Sequence, residues 1–378
     1  MIKFLYELIA LINLVKFNNL PNNQRKITIY SEGKNYWPHL EGLLNVILKF
    51  TNKTVCYVSS SRDDPGLLIK HKNLTCFFIA ESFVRDYFFQ NLDTDIMIMT
   101  MPDLQNYQVK RSIKKVHYIY VQHSLVSLHA VYRHGAFDHY DTICAAGPHH
   151  IREIRAIEKK YKLPRKNIFK LGYSRIDNLL KKNFSSIVGA SKKVLIAPSW
   201  GPDSIIESGL SHKLIDEFLS LKYKIILRPH PQTIKFNKKE IAYISKKYRN
   251  NPLFLMENDL TDDKSLYESD IMVSDWSGAA IEFAIALQKP VIFCDVPRKI
   301  NNIKHQDIFE EPIEVSIRKL IGVIWDGKVP INNIVSLCLK KKIHFKQLNE
   351  MFCFNLGDSD KQFLKLLNEI YSKLEKSS

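Results

Sequence analysis

Two short stretches of the chain put charged and hydroxyl side chains where apolar runs stop. Lys224-Ile225-Ile226-Leu227 reads as a buried strand, and Arg228-Pro229-His230-Pro231 follows it directly. Ile271-Met272-Val273 reads as a second strand. Ser274-Asp275-Trp276-Ser277-Gly278 comes next, then a helical pattern that runs to Leu287. Lys289-Pro290 stops that helix, and Val291-Ile292-Phe293 begins another strand. In parallel α/β sheets, ligands bind outside the carboxyl ends of the strands. A Ser/Gly turn at a helix N-terminus offers free N–H groups and a positive dipole end to an anion. Arg228 can grip phosphate oxygens bidentately and stays charged at any relevant pH. His230 can hydrogen-bond the same oxygens, and Ser274, Ser277 and the N–H groups of 277–279 form the anion-binding turn. The chemistry in reach of these residues is the holding of a phosphate or pyrophosphate. Asp275 either orients His230 or caps the helix, and capping is the simpler role.

Residues so placed need a sheet to place them. Strand-like runs at Lys26–Tyr30, Thr54–Ser59, Thr75–Ala80, Asp95–Thr100, Tyr118–Gln122 and Thr142–Ala146 recur along the first half. Amphipathic stretches such as Leu40–Phe50 and Ser82–Leu92 fall between them, which predicts a doubly wound parallel sheet. Lys193–Pro198 opens a second series, with Ser199-Trp200-Gly201 at its strand end. Ser199 is there either to bond a phosphate oxygen or to make a turn. The polar segment 185–191 reads as a linker. The expected division is a hydrophobic helix over 1–19, one Rossmann-like domain over 20–187 and another over 190–378, closed by C-terminal helices. The tail Ser359–Leu374 has apolar residues at helical spacing and is expected to pack on a domain face.

Length and composition fit this division. The 378 residues suit two domains, and 45% hydrophobic with 25% charged residues is globular. A net charge of +16 favours anionic partners, but no zinc finger, RNP motif or basic heptad region points to nucleic acid. The six cysteines are scattered without a Cys-x-x-Cys pair and read as reduced, buried residues. Seven of the thirteen histidines lie between His117 and His150, at spacings of five and six residues that do not stack ligands on one helix face. No metal site is expected; His150 reads as the surface turn of a helix start, and His149 either as part of that turn or as the end of the small-residue junction 144–149, where the backbone could approach a ligand closely. Ile2–Phe17 is the most hydrophobic stretch, yet shorter than the roughly 20 apolar residues that cross a bilayer. It is read either as a helix packed on the first domain or as an amphipathic helix lying in a membrane interface.

The ordered motifs Arg-Pro-His-Pro (228–231), Ser-Asp-Trp-Ser-Gly-x3-Glu (274–282) and Lys-Pro-Val-Ile-Phe (289–293) resemble the CDP-glycerol glycerophosphotransferase family. That family comprises the polyol-phosphate transferases of teichoic-acid and capsule synthesis, built on a GT-B fold of two facing Rossmann-like domains. Its usual second motif is Thr/Ser-Asp-Tyr-Ser-Ser-x3-Asp. Here Trp276, Gly278 and Glu282 replace the Tyr, the second Ser and the Asp. The resemblance implies a catalytic base at His123, which closes the run Tyr118–Gln122, although His123-Ser124-Leu125 stands where the family has His-Gly-Thr. It further implies that His230 stabilises or protonates the leaving group and that the Glu282 carboxylate takes ribose hydroxyls. The implied reaction moves glycerol phosphate, or another polyol phosphate, from a CDP-polyol to a polyprenyl-linked glycan and releases CMP. The implied place is the cytoplasmic, inner-leaflet face of the membrane, held peripherally. No cofactor is called for, and no motif indicates a Mg²⁺ ion beyond one carried with the nucleotide. Two other readings use the same residues: a nucleotide-sugar-dependent GT-B glycosyltransferase, and a non-catalytic subunit that keeps the fold.

Overall fold

The computed structural model describes residues 2–182, 192–259 and 261–376, so the linker expected over 185–191 lies outside the described residues. Two parallel sheets form among them. The first holds β1 (Ile27–Ser31), β2 (Val55–Ser59), β3 (Leu74–Phe78), β4 (Ile96–Met99), β5 (His117–Tyr120), β6 (Thr142–Ala145) and β7 (Asn167–Lys170), in the order β3-β2-β1-β4-β5-β6-β7. The second holds β8 (Lys193–Ile196), β9 (Lys224–Leu227), β10 (Phe254–Met256), β11 (Ile271–Ser274), β12 (Val291–Cys294) and β13 (Gly322–Trp325), in the order β10-β9-β8-β11-β12-β13. In each, the order reverses beside the first strand, which is the switch point that opens a crevice at the strand ends. The central strands are buried along their whole length, as expected where helices cover both faces of a parallel sheet. The architecture is GT-B: two Rossmann-like lobes with facing carboxyl edges.

One helix joins the lobes. Gly278–Leu287 is apolar on almost every side, and Ala280, Ile281, Phe283, Ala284, Ile285 and Ala286 are all buried. A helix without a polar face must be covered all round. It packs against helix Ser174–Lys181 of the first lobe, in a cluster that also takes in Leu125, Tyr173 and Phe352.

The chain end crosses back. Helix Ser359–Glu375 lays Phe363, Leu366, Leu367 and Ile370 against helix Trp37–Phe50, over the first sheet. The tail therefore closes the first lobe and not the second, to which the sequence reading assigned it. Asp177 fixes the crossing by accepting the backbone N–H groups of Gly357 (2.6 Å) and Ser359 (2.7 Å). Helix Ile2–Asn18 also belongs to the first lobe, where Ala10, Leu14 and Phe17 enter the core and the Phe17 ring meets Phe77 and Phe88 edge-on.

Candidate active site

The carboxyl edge of the second sheet carries the residues that the motifs single out, but they divide into builders and cleft-facing groups. Asp275 is buried, and its Oδ1 accepts the N–H groups of Ser199 and Trp276, both at 2.7 Å. Its Oδ2 accepts from Ile205 N–H at 3.1 Å. It neither caps the helix nor touches His230; it holds the 199–205 loop to β11. Capping falls to Ser277, whose Oγ accepts from Ala279 N–H. Ser274 Oγ is buried and donates to the Ala197 carbonyl at 2.7 Å, so it does not line an anion site. Ser199 is likewise tied in by its N–H. Arg228 is turned aside: its Nη1 donates to Glu257 (2.8 Å), to the Asp262 carbonyl (2.7 Å) and to Ser265 Oγ (3.0 Å). A guanidinium nitrogen already engaged by three acceptors braces the β9–β10 edge. That engagement turns Nη1 away from the cleft, where the motif reading had placed Arg228 as a phosphate grip.

His230 does face the cleft. Its Nδ1 accepts from Gln232 N–H at 3.1 Å, so the ring proton sits on Nε2. Its ring lies against Trp200, and the Lys299 ammonium sits 4.4 Å from the centroid of that indole. Burial lowers the His230 pKa to about 3, helped by Lys299 and by His123 from the opposite lobe. The ring is neutral at pH 7 and offers one N–H donor.

His123 is the mirror case. Its Nδ1 lies 2.8 Å from the Thr100 carbonyl, which can only accept, so the proton is on Nδ1 and the lone pair on Nε2. The Tyr132 hydroxyl stands 3.4 Å from that Nε2. Tyr36 and His39 close the pocket, with ring centroids 5.7 and 6.3 Å from the imidazole. Burial lowers the His123 pKa to about 4. The two histidines, one from each lobe, are thus close enough for His123 to act on His230, and one offers a lone pair where the other offers an N–H.

The segment after His123 is held by groups that sequence reasoning misplaced or missed. His149 Nε2 and His150 Nε2 lie 3.0 and 3.1 Å from the carbonyls of Leu125 and Val126. Both rings are buried instead of forming a surface turn, because the helix start that carries them tucks under this loop. Glu153 accepts the Leu128 N–H, and Glu314 from the second lobe accepts Ser127 N–H (2.9 Å) and Ser127 Oγ (2.6 Å). Gly278 meets the same loop, since a Cβ there would overlap Ser124 Oγ. Its smallness serves the approach of the lobes.

Glu282 also points across the lobes. It accepts from the Tyr173 hydroxyl at 2.8 Å and lies 3.6 Å from Arg175 Nε; burial raises its pKa despite Arg175. Tyr173 in turn bonds His39 (3.1 Å), and Arg175 pairs with buried Asp263. Ribose hydroxyls would have to displace Tyr173 to reach this carboxylate. Arg298 and Lys299 went unremarked in the sequence; they stand in the segment that leaves the carboxyl end of β12, on the same sheet edge where Arg228 directly follows β9, and that position was the available signal. Among the described residues no group of three or more His, Cys, Asp or Glu side chains is placed to hold a metal ion.

Solved structures share this architecture. UDP-GlcNAc 2-epimerase of Methanocaldococcus jannaschii is 13% identical, with a TM-score of 0.59 over 91% of this chain and 99% of that one. The UDP-GlcNAc 2-epimerase of Neisseria meningitidis is 13% identical with a TM-score of 0.55, and that of Rickettsia bellii 12% identical with a TM-score of 0.56. The Neisseria match covers 91% of this chain and 99% of that one, and the Rickettsia match 93% and 96%. Likeness at this identity establishes the fold alone. No curated protein sequence matches the chain significantly. Residues 112–299, however, match the sequence model of a family described as CDP-glycerol:poly(glycerophosphate) glycerophosphotransferase. That segment carries His123, His230 and the Ser274–Glu282 turn and helix, and its match supports the CDP-glycerol glycerophosphotransferase family as the one that the motifs of this chain resemble.

Proposed function

We propose that the chain transfers a polyol phosphate, glycerol phosphate in the first instance, from a CDP-polyol to a hydroxyl of a lipid-linked glycan, in the building of a cell-surface polymer. The observation that carries this reading is the pair of neutral histidines, one from each lobe and near enough for His123 to act on His230, with their protons on opposite nitrogens. His123 Nε2 takes the proton of the acceptor hydroxyl as its oxygen attacks the phosphorus that bears the polyol. A new O–P bond forms and the diphosphate P–O bond breaks, its electron pair leaving on CMP. His230 Nε2–H donates to the oxygen on which that charge develops. Phosphoryl transfer asks little else of a protein than positioning and charge stabilisation.

The acceptor's lipid gives a role to the outer face of helix Ile2–Asn18. Phe4, Leu8, Ile12 and Val15 are exposed while the opposite face is in the core. No described helix is long and apolar enough to cross a membrane. An apolar helix face on a chain of charge +16 suits the anionic inner leaflet.

The test is incubation with CDP-glycerol, CDP-ribitol and a panel of nucleotide sugars, together with a lipid-linked acceptor. Release of CMP is expected. Release of a nucleoside diphosphate would favour a glycosyltransferase instead. Turnover of none of them would leave the non-catalytic reading.

A further inference from the structure

We propose that Arg298 and Lys299, and not Arg228, hold the diphosphate of the nucleotide donor, an inference that rests on the donor reading above. Both residues leave the carboxyl end of β12, which pairs with β11 in register Ser274↔Phe293. The segments beyond the two strands are tied together where Trp276 Nε1 donates to the Val296 carbonyl at 3.0 Å. Arg298 and Lys299 therefore emerge alongside Ser277 and the start of its helix.

Each has what Arg228 lacks. Arg298 Nε and Nη2 are shielded from solvent without a hydrogen-bond acceptor, and the nearest carboxylate oxygen, Glu314 Oε1, is 4.0 Å from Nη2. A buried guanidinium N–H without a partner costs free energy, and an oxyanion would relieve it. Lys299 rests on the face of Trp200, beside His230, in no ion pair among the described residues. Burial lowers its pKa to about 8, with Asp275 and Glu207 opposing the shift. The structure thus holds Lys299 next to the leaving-group histidine, with Arg298 one residue before it in the chain, while Arg228 Nη1 is engaged by Glu257 and its neighbours.

Calorimetric titration of the full chain with inorganic pyrophosphate and with CDP-glycerol tests the assignment, using Arg298→Gln, Lys299→Met and Arg228→Gln, each checked for a native melting transition. Arg298→Gln and Lys299→Met are expected to lose about tenfold or more in affinity for both probes, while Arg228→Gln keeps its pyrophosphate affinity. Should Arg298→Gln disturb the contact of Glu314 with the opposite lobe and fail to fold, Lys299→Met decides alone. A second readout is the pH dependence of CDP-glycerol binding, since the diphosphate diester does not itself titrate between about pH 7 and pH 9. The groups facing Lys299 are Asp275, Glu207 and His230, whose ring is already neutral there. Affinity should fall across that range in the wild type and stay level in Lys299→Arg. Folded Arg298→Gln and Lys299→Met with wild-type pyrophosphate affinity, or a wild type that binds no pyrophosphate, overturns the proposal. If CDP-glycerol binds the wild type and both variants alike, the site is wrong and the donor reading stands. If pyrophosphate binding depends on these residues but CDP-glycerol is refused, the site stands and the donor reading falls.

Discussion

His123 and His230 have the same side chain and opposite duties in the proposed reaction, and the difference comes from one backbone partner each. A carbonyl at Thr100 fixes the proton on Nδ1 of the first, and an N–H at Gln232 keeps it off Nδ1 of the second. The sequence places both at strand ends but says nothing of tautomers, which depend on where a neighbouring backbone group points. His123→Ala should lower turnover of CDP-glycerol by roughly 100- to 10,000-fold while calorimetry finds donor affinity unchanged; equal loss of the donor would contradict the division of labour. The base must be neutral to act, and it stays neutral down to about pH 4. The base-side limb of kcat/KM should therefore lie near that pH and leave the range from about pH 6 to 7 flat, above which the titration of Lys299 takes over; a limb near 6.5 would mean that His123 is not buried as described. Asp275 shows why motif reading misassigns roles: a conspicuous polar residue in a motif can be consumed by the turn that the motif builds. Its three backbone donors make Asp275→Asn costly, because an amide brings N–H groups of its own to a place that needs acceptors. About 1–3 kcal/mol per unsatisfied group is expected in urea unfolding.

At the level of elements, apolar runs were legible and their partners were not. The central strands announce themselves as uninterrupted Val/Ile/Met/Tyr runs because both faces are buried. β7, Asn167–Lys170, carries no such run, since it is an edge strand with its ends exposed. The closing helix was legible as amphipathic, but periodicity does not say which lobe it covers; Asp177, more than 180 residues earlier, decides that through Ser359. His150, and His149 in one of its two readings, looked like a surface turn because polarity was the only guide to their exposure. Both are buried and neutral, with His150 lowered to about 4 by desolvation. An unfolded histidine titrates near 6.5, so the unfolded chain binds the extra proton first as the pH falls. The stabilising effect of neutral His150 is complete above about pH 6.5 and is lost between there and about pH 4. His150→Gln keeps a donor for the Val126 carbonyl and does not titrate. It should flatten the fall of unfolding free energy below about pH 6 by roughly 1.4 kcal/mol per pH unit, and an unchanged slope would show that the ring is not buried as a neutral group.

The whole molecule is two lobes pressed together around one apolar helix, with Glu314 on Ser127, Glu282 on Tyr173 and Arg175 on Asp263 spanning them. A donor whose ribose engages Glu282 must compete with Tyr173, so nucleotide entry and the opening of that contact are coupled. The first lobe adds a further division of surfaces. Helix Ile2–Asn18 sends Phe17 fully into the core, while Val15, two residues earlier, is 57% exposed. Deleting the helix would confuse membrane attachment with folding, because the first lobe would lose part of its core. Point changes on its two faces separate them. Ile12→Asp and Val15→Asp together should leave the melting temperature and the turnover of a short, water-soluble acceptor nearly unchanged. The same pair should release the protein from vesicles containing anionic lipid in a sedimentation assay, since each charge opposes burial in the interface. Phe17→Ala should do the reverse, costing about 3–5 kcal/mol of stability for a buried aromatic ring while folded protein still binds vesicles. Vesicle binding that survives the paired aspartates would move the membrane contact to another face, and a paired variant that melts early would show that the outer face, too, is covered in the folded chain.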